Sequence, residues 1–209
     1  GTEEDTEARY GALSDWTRAR FGEVELTHRW SAQVLEPVDG LPYVGPSSQS
    51  DRVLYATGFS GNGITFGTLA AQMITDAILH RPNRFAEIFD ARRVHLAASA
   101  KELVAENVDV PAHLIGDRLR PADASSVDDV APGDGKITRV ASKKCAVYRH
   151  DDGHLTVLSP VCPHLGCHVH FNGAEKTWDC PCHGSRFDVE GNVLDGPATT
   201  SLAKIATEE

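Results

Sequence analysis

The sequence lacks any apolar run near the roughly 20 residues that a membrane-spanning helix needs. Its most apolar stretch, Ile64 to Leu79, is interrupted by Thr65, Gly67, Thr68, Gln72, Thr75 and Asp76, so no membrane span is expected. It also lacks a net positive charge, its 20 Lys and Arg being outnumbered by 30 Asp and Glu. The net charge is −10, whereas proteins that bind nucleic acid present a basic surface, so a nucleic acid is not the expected partner. The opening residues, GTEEDTEAR, do not resemble a secretion signal, and a cytoplasmic protein is expected. No internal repeat or long low-complexity tract is present. Outside one short segment the chain is poor in cysteine. Four of its five cysteines fall between residues 162 and 182, and the fifth is Cys145. A stapled secreted domain would spread its cysteines more widely, so the clustering points to a metal site.

What is present falls into two halves. In the first, Tyr10, Leu13, Trp16 and Phe21 have helical spacing, and Gly22 is a suitable stop. Glu23 to Trp30 alternates with Val24, Leu26, His28 and Trp30 on one face, which predicts a strand. EPVDGLPYVG is a loop, and Arg52–Thr57 predicts a short buried strand. Phe66, Leu69, Ala70, Met73, Ile74, Ala77 and Ile78 then follow the helical rule closely, and Pro82 stops that helix. Its entrance is a glycine turn with Gly58, Gly61 and Gly63. A strand, a glycine turn and a helix N-terminus together can present backbone N–H groups to an anion or a polar ring edge. Further helix is predicted around Arg84 to Val94 and Leu96 to Glu106.

After Pro111 the composition becomes polar and rich in turn formers. The boundary is placed near 111–120, giving domains 1–112 and 113–209. Short strands are predicted at Lys136–Val140, Lys144–Arg149, His154–Ser159, His168–Phe171, Thr177–Asp179 and Ser185–Val189. Asp152-Gly153, Asn172-Gly173, Gly191-Asn192 and Asp195-Gly196 mark turns between them. The predicted fold class is an α+β N-terminal portion followed by a small all-β domain.

Two segments carry the chemistry: CPHLGC (162–167) and CPCHGS (180–185). Each offers one thiolate and one imidazole, Cys162-x-His164 and Cys180-x-x-His183, with fifteen residues between. Two Cys and two His could hold zinc tetrahedrally. Zinc motifs usually pair like with like, however, and here each loop supplies one of each. That mixture suits a [2Fe–2S] cluster in which two histidines replace two cysteines on one iron. Neutral imidazoles lower the cluster's negative charge and raise its potential to roughly −150 to +300 mV.

Residues 118–209 resemble a Rieske [2Fe–2S] domain through these two motifs. The resemblance implies that Cys162, His164, Cys180 and His183 are the ligands, and that Cys167 and Cys182 form a disulfide joining the two loops. It implies that Ser185 donates a hydrogen bond to a cluster sulfur. High-potential members have a tyrosine two residues on, where this chain has Phe187, so a potential below the top of the range is expected. Gly196-Pro197 resembles the loop that covers the cluster. His168 and His170 are expected to be non-ligands, and Cys145 a core thiol.

Residues 20–95 resemble the C-terminal part of FAD-dependent oxidoreductases of the D-amino acid oxidase type. The carriers are WSAQVLEPVDGLPYVG, VLYATGFSGNGITFGTLAAQMITDAIL and FAEIFDARR. By position the resemblance implies FAD contacts at Gly58, Gly61, Asn62, Gly63, Ile64 and Thr65. The chain has no strand–GxGxxG–helix unit for the ADP half of FAD; GFSGNG has its glycines in another order. The expectation is therefore a C-terminal portion of a longer flavoprotein with an appended Rieske domain. Its cofactors would be a [2Fe–2S] cluster here and FAD in the longer parent. Its partners would be a redox protein or a missing N-terminal flavin-binding segment. No catalytic residue is assigned, and alone the chain should not turn over a substrate. The alternative reading is a stand-alone Rieske ferredoxin-type carrier.

Overall fold

The computed structural model describes residues 5–93, 114 and 116–206. They fall into two compact units: Ala32–Asn107, and Gly1–Ser31 together with Val108–Glu209.

In the first unit, Tyr43–Pro46 (β1) and Leu54–Thr57 (β2) form an antiparallel hairpin. Gly63–Ile78 (α2) follows. Most of the apolar face read from the sequence packs: Ala70 and Met73 join Val44 and Phe89 in a small core, flanked by Phe66, Leu69 and Ile74, while Ala77 and Ile78 at its end are exposed. Arg93 is fixed at the edge of this unit. Its guanidinium bonds both oxygens of Asp39 at 2.7 and 2.8 Å and lies 3.9 Å over the Tyr43 ring. Only 5% of the Arg93 side chain and 6% of the Asp39 side chain are exposed.

Two expectations for this unit are corrected. Arg52–Thr57 is not buried: β2 starts at Leu54, which is half-buried, and its other three residues are exposed. The described part of Arg84–Val94 forms successive turns rather than a helix. Asn83 Oδ1 accepts from the Phe85 N–H, and Asp90 Oδ1 accepts from the Arg92 N–H. These side chains offer the backbone bonds that compete with a helix. Leu96–Glu106 lies outside the described residues.

In the second unit, Thr6–Phe21 (α1) is a helix as predicted, capped by the Asp5 carboxylate on the Ala8 N–H. Its spacing gives helix but no buried face in the described structure, since Leu13, Trp16 and Phe21 are 57–66% exposed. Glu23–Trp30 alternates yet joins no sheet. A strand needs a partner edge as well as a pattern.

The remainder is mainly β, with short helical turns at 116–119 and Val127–Asp129. Gly135–Val140 (β3), Lys143–Arg149 (β4) and Leu155–Leu158 (β5) form one antiparallel sheet. His170–Asn172 (β6), Thr177–Asp179 (β7), Arg186–Phe187 (β8) and Val193–Asp195 (β9) form another. Strand β9 was not predicted, and the His168 and Ser185 strand starts shift to His170 and Arg186. β4 is buried on both faces. Cys145 and Val147 point into a core with Val130 and Val157. Ala146 and Tyr148 point into the main core of Leu158, Val169, Trp178 and Phe187. Cys145 is thus a core thiol, whose pKa burial raises. Gly135 is needed for close packing, because an added Cβ would meet the Phe171 ring at 2.5 Å.

Candidate metal centre

The two cysteine–histidine segments fold alike, and local backbone bonds show why. In the first, the Gly166 N–H donates to the Cys162 carbonyl at 2.9 Å, and the Cys162 N–H to the Cys167 carbonyl at 2.8 Å. In the second, the Gly184 N–H donates to Cys180 at 3.0 Å, and the Cys180 N–H to Ser185 at 2.8 Å. Gly166 and Gly184 have φ of 82° and 77°. That left-handed conformation is open to glycine at little cost, which accounts for a glycine at the fifth position of each motif. Cys167 and Cys182 form a disulfide across the two loops, in agreement with the pairing the resemblance implied.

The loops bring four donors together in two pairs. Cys162 and Cys180 are buried, and their thiols hydrogen-bond each other. The His164 and His183 rings meet edge to face, 4.8 Å between centroids. Among the described residues no three His, Cys, Asp or Glu gather as a single ion would need. Thiols beside thiols and imidazoles beside imidazoles suit two irons, one held by sulfur and one by nitrogen. The His183 Nδ1 is buried with no hydrogen-bond partner, and a buried polar atom of this kind is costly unless something binds it. The donor set therefore fits a [2Fe–2S] cluster.

The electrostatics agree. The bond from Cys180 pulls the Cys162 thiol down to about 6, helped by the His164 backbone and Ser185. The same bond and then burial push Cys180 up. One thiolate therefore forms readily, and thiolate is the form that binds metal. Burial, and then the neighbouring His164, lowers the His183 pKa and favours the neutral, ligating form. Ser185 is fully buried, donates to Cys162, and accepts the Ala198 N–H at 2.9 Å. That last bond ties the Gly196-Pro197 loop to the site. Phe187 is fully buried in the core beneath the second loop.

Other named residues sit apart. His168 is buried, and burial lowers its pKa. His170 pairs with Asp117 at 3.3 Å. The flavin-type residues lie in the other unit. Gly58 has φ 76° and packs on Pro37. Gly61 has φ 77°, Asn62 precedes α2, and Gly63 begins it. A Cβ at Gly61 or Gly63 would meet nothing within 4 Å. Ile64 is 92% exposed, and Thr65 is exposed.

Sequence reasoning missed two sets of supporting residues. The Arg118 guanidinium donates to the Gly166 carbonyl at 3.0 Å. Asp179 and Arg186 face each other in the β7–β8 register and bond at 3.1 Å. These two flank the second motif directly, so a hairpin drawn around it would have found them.

Comparison with known proteins gives two family matches. Residues 121–206 match the family described as Rieske [2Fe-2S] domain, and residues 1–77 match the FAD dependent oxidoreductase family. The chain is 36% identical over 197 residues to a Rieske 2Fe-2S iron-sulfur protein, YhfW, of Bacillus subtilis, covering 94% of this chain and 38% of that protein. It is 42% identical over 74 residues to the cytochrome b6-f complex iron-sulfur subunit of Chlorobaculum tepidum (35% of this chain, 40% of that one). It is 54% identical over 48 residues to the corresponding subunit of Trichodesmium erythraeum (23% and 27%). The chain spans about two fifths or less of the length of these relatives. It joins part of an FAD dependent oxidoreductase domain, residues 1–77, to a Rieske [2Fe-2S] electron-transfer domain, residues 121–206.

Proposed function

We propose that this chain passes single electrons between a flavin oxidoreductase of the amine or amino-acid oxidase type and a separate redox protein. Cys162 and Cys180 would hold one iron of a [2Fe–2S] cluster, and His164 and His183 the other. The observation that carries this is the pairing of the four donors, with the His183 Nδ1 left without any other partner. When bound, the cluster supplies reversible one-electron chemistry at a potential set by its two neutral ligands.

The chain's own residues do the rest. The Cys167–Cys182 disulfide keeps the two loops together. Ser185 stabilises negative charge on Cys162 by its hydrogen bond. Trp178, Phe187 and Val169 keep water from the inner side of the loops. Leu165, 59% exposed beside His164, offers an apolar contact for a redox partner.

The flavin assignment rests on the match of residues 1–77. FAD would be held in the longer parent protein, with Gly58, Gly61, Asn62, Gly63, Ile64 and Thr65 meeting its ring. The open space over Gly61 and Gly63 and the exposure of Ile64 support this.

The test is iron and sulfide analysis with visible and electron paramagnetic resonance spectra of the purified chain. Two irons and two sulfides per chain are expected, with a reduced-state signal lost in His183→Ala. A colourless chain containing zinc would overturn the reading. Reduction of the cluster by an amine substrate in the full-length parent tests the flavin step.

A further inference from the structure

The two family matches and the two compact units divide the chain at different places. Residues 1–77 match the flavin oxidoreductase family, yet Gly1–Ser31 belongs to the compact unit of the Rieske domain. Contacts show how this segment is held.

Its anchor is Glu175, on the turn between β6 and β7. This carboxylate is 17% exposed. It accepts from the Tyr10 hydroxyl of α1, from the Ser31 N–H at 2.7 Å, and from Arg186. Arg186 also reaches the Ser31 hydroxyl at 3.1 Å. One turn earlier on α1, the Thr6 hydroxyl donates to Asn172 at 2.8 Å. Within the segment, Arg29 pairs with Glu7 at 2.7 and 3.0 Å and lies 4.8 Å over the Tyr10 ring. Both ends of the segment are thereby gathered on one carboxylate.

The network continues toward the cluster loops. Arg186 bonds Asp179 at 3.1 Å. Asp179 immediately precedes Cys180, and Arg186 immediately follows Ser185. The second loop leaves and re-enters the sheet between these two residues.

We propose that residues 6–31 form a clasp through which the flavin-oxidoreductase part of the chain grips the Rieske domain. Glu175 is the lock, and the base of the Cys180–Ser185 loop is what the clasp braces. Charge and geometry favour this use. A half-buried carboxylate needs donors on every side, and here the clasp supplies two of the three. The clasp rests on the family matches and the contacts, not on the ligand assignment.

Hydrogen exchange of the full 209-residue chain, with and without iron, tests it. The double variant Thr6→Val with Tyr10→Phe removes two clasp-side donors and leaves the Rieske residues intact. Glu175→Ala removes the lock itself. Residues 6–21 should exchange at least tenfold faster in Glu175→Ala and several-fold faster in the double variant, with β3–β5 unchanged. Iron release to a chelator should quicken in the same order. Unchanged exchange of residues 6–21 in both variants would overturn the clasp. Faster exchange with unchanged iron release would overturn the bracing of the loop. A colourless wild-type chain would defeat the cluster reading, while the exchange contrast in the iron-free chain would still decide the clasp.

Discussion

The Rieske loops and the glycine turn before α2 are built on opposite plans. The Rieske loops are closed by local backbone bonds, crossed by a disulfide and backed by Trp178, Phe187 and Val169. Four donors meet there from two short segments. The glycine turn before α2 is open: Ile64 is 92% exposed, and space lies over Gly61 and Gly63. A cluster needs four covalent bonds at fixed positions, so its domain must be rigid and complete within itself. A flavin is held by many weaker contacts over a long surface, and one strand–turn–helix supplies only a few of them. This difference is what the proposed function requires of a portion that carries a whole metal centre and only part of a flavin site.

The largest effect should come from the buried ion pair of the flavin-type unit. Asp39→Ala leaves the buried Arg93 guanidinium without its carboxylate. Breaking a buried pair in this way costs about 3–5 kcal/mol. Denaturant unfolding followed by hydrogen exchange should show loss of protection over 39–93 and none over 135–195. Loss in both regions together would break the comparison, since the units would then unfold as one. Next comes the disulfide. Cys167 and Cys182 are 15 residues apart, and closing a loop of that size stabilises by about 3 kcal/mol. Cys167→Ser with Cys182→Ser should lower the denaturation midpoint of the Rieske region alone. An unchanged midpoint would show that the backbone bonds suffice.

How much of this was legible follows from the distance over which each feature is determined. The metal loops are written in two six-residue segments, so the residues that meet there stand together in the sequence, and the Cys167–Cys182 pairing came from the resemblance. The α2 helix carries its packing face in its own period. Glu23–Trp30 could not be read correctly, because whether an alternating stretch becomes a strand depends on an edge elsewhere. Helix is expected around Arg84 to Val94, and over its described part Asn83 and Asp90 overrule it with side-chain bonds to the backbone. The clasp was invisible for a stronger reason. Tyr10 and Ser31 meet Glu175 across 165 and 144 residues, and no local pattern encodes such a meeting.

Smaller effects sharpen the contrast within the metal site. Ser185→Ala removes the hydroxyl bonded to Cys162. Such a bond strengthens as the cluster gains charge. A difference of about 1.4 kcal/mol between the two oxidation states corresponds to roughly 60 mV for one electron. The potential should fall by about that much in protein-film voltammetry, and an unchanged potential would assign Ser185 only to holding the Ala198 loop. Phe187→Tyr should move the potential upward if the new hydroxyl reaches a ligand sulfur, and a fall would show that it does not.

The smallest effect is acid release of the clasp. Burial alone would raise the Glu175 pKa, but bonds from Tyr10, Ser31 and Arg186 outweigh it, and the net shift is downward. A carboxyl lowered in the folded state stabilises that state above its ordinary pKa, about 4.3. That contribution disappears as pH falls through the lowered folded value. The other titratable and charged groups of this network are Tyr10, Arg29 and its partner Glu7 on the clasp side and Arg186 and Asp179 on the sheet. Exchange of residues 6–21, corrected for its intrinsic pH dependence, should therefore quicken below about pH 4.3 in the wild-type chain. In Glu175→Gln it should already be faster at pH 7 and change less on acidification. If the two chains instead quicken in parallel, the acid sensitivity does not come from Glu175, and the lock there is held by hydrogen bonds rather than by charge.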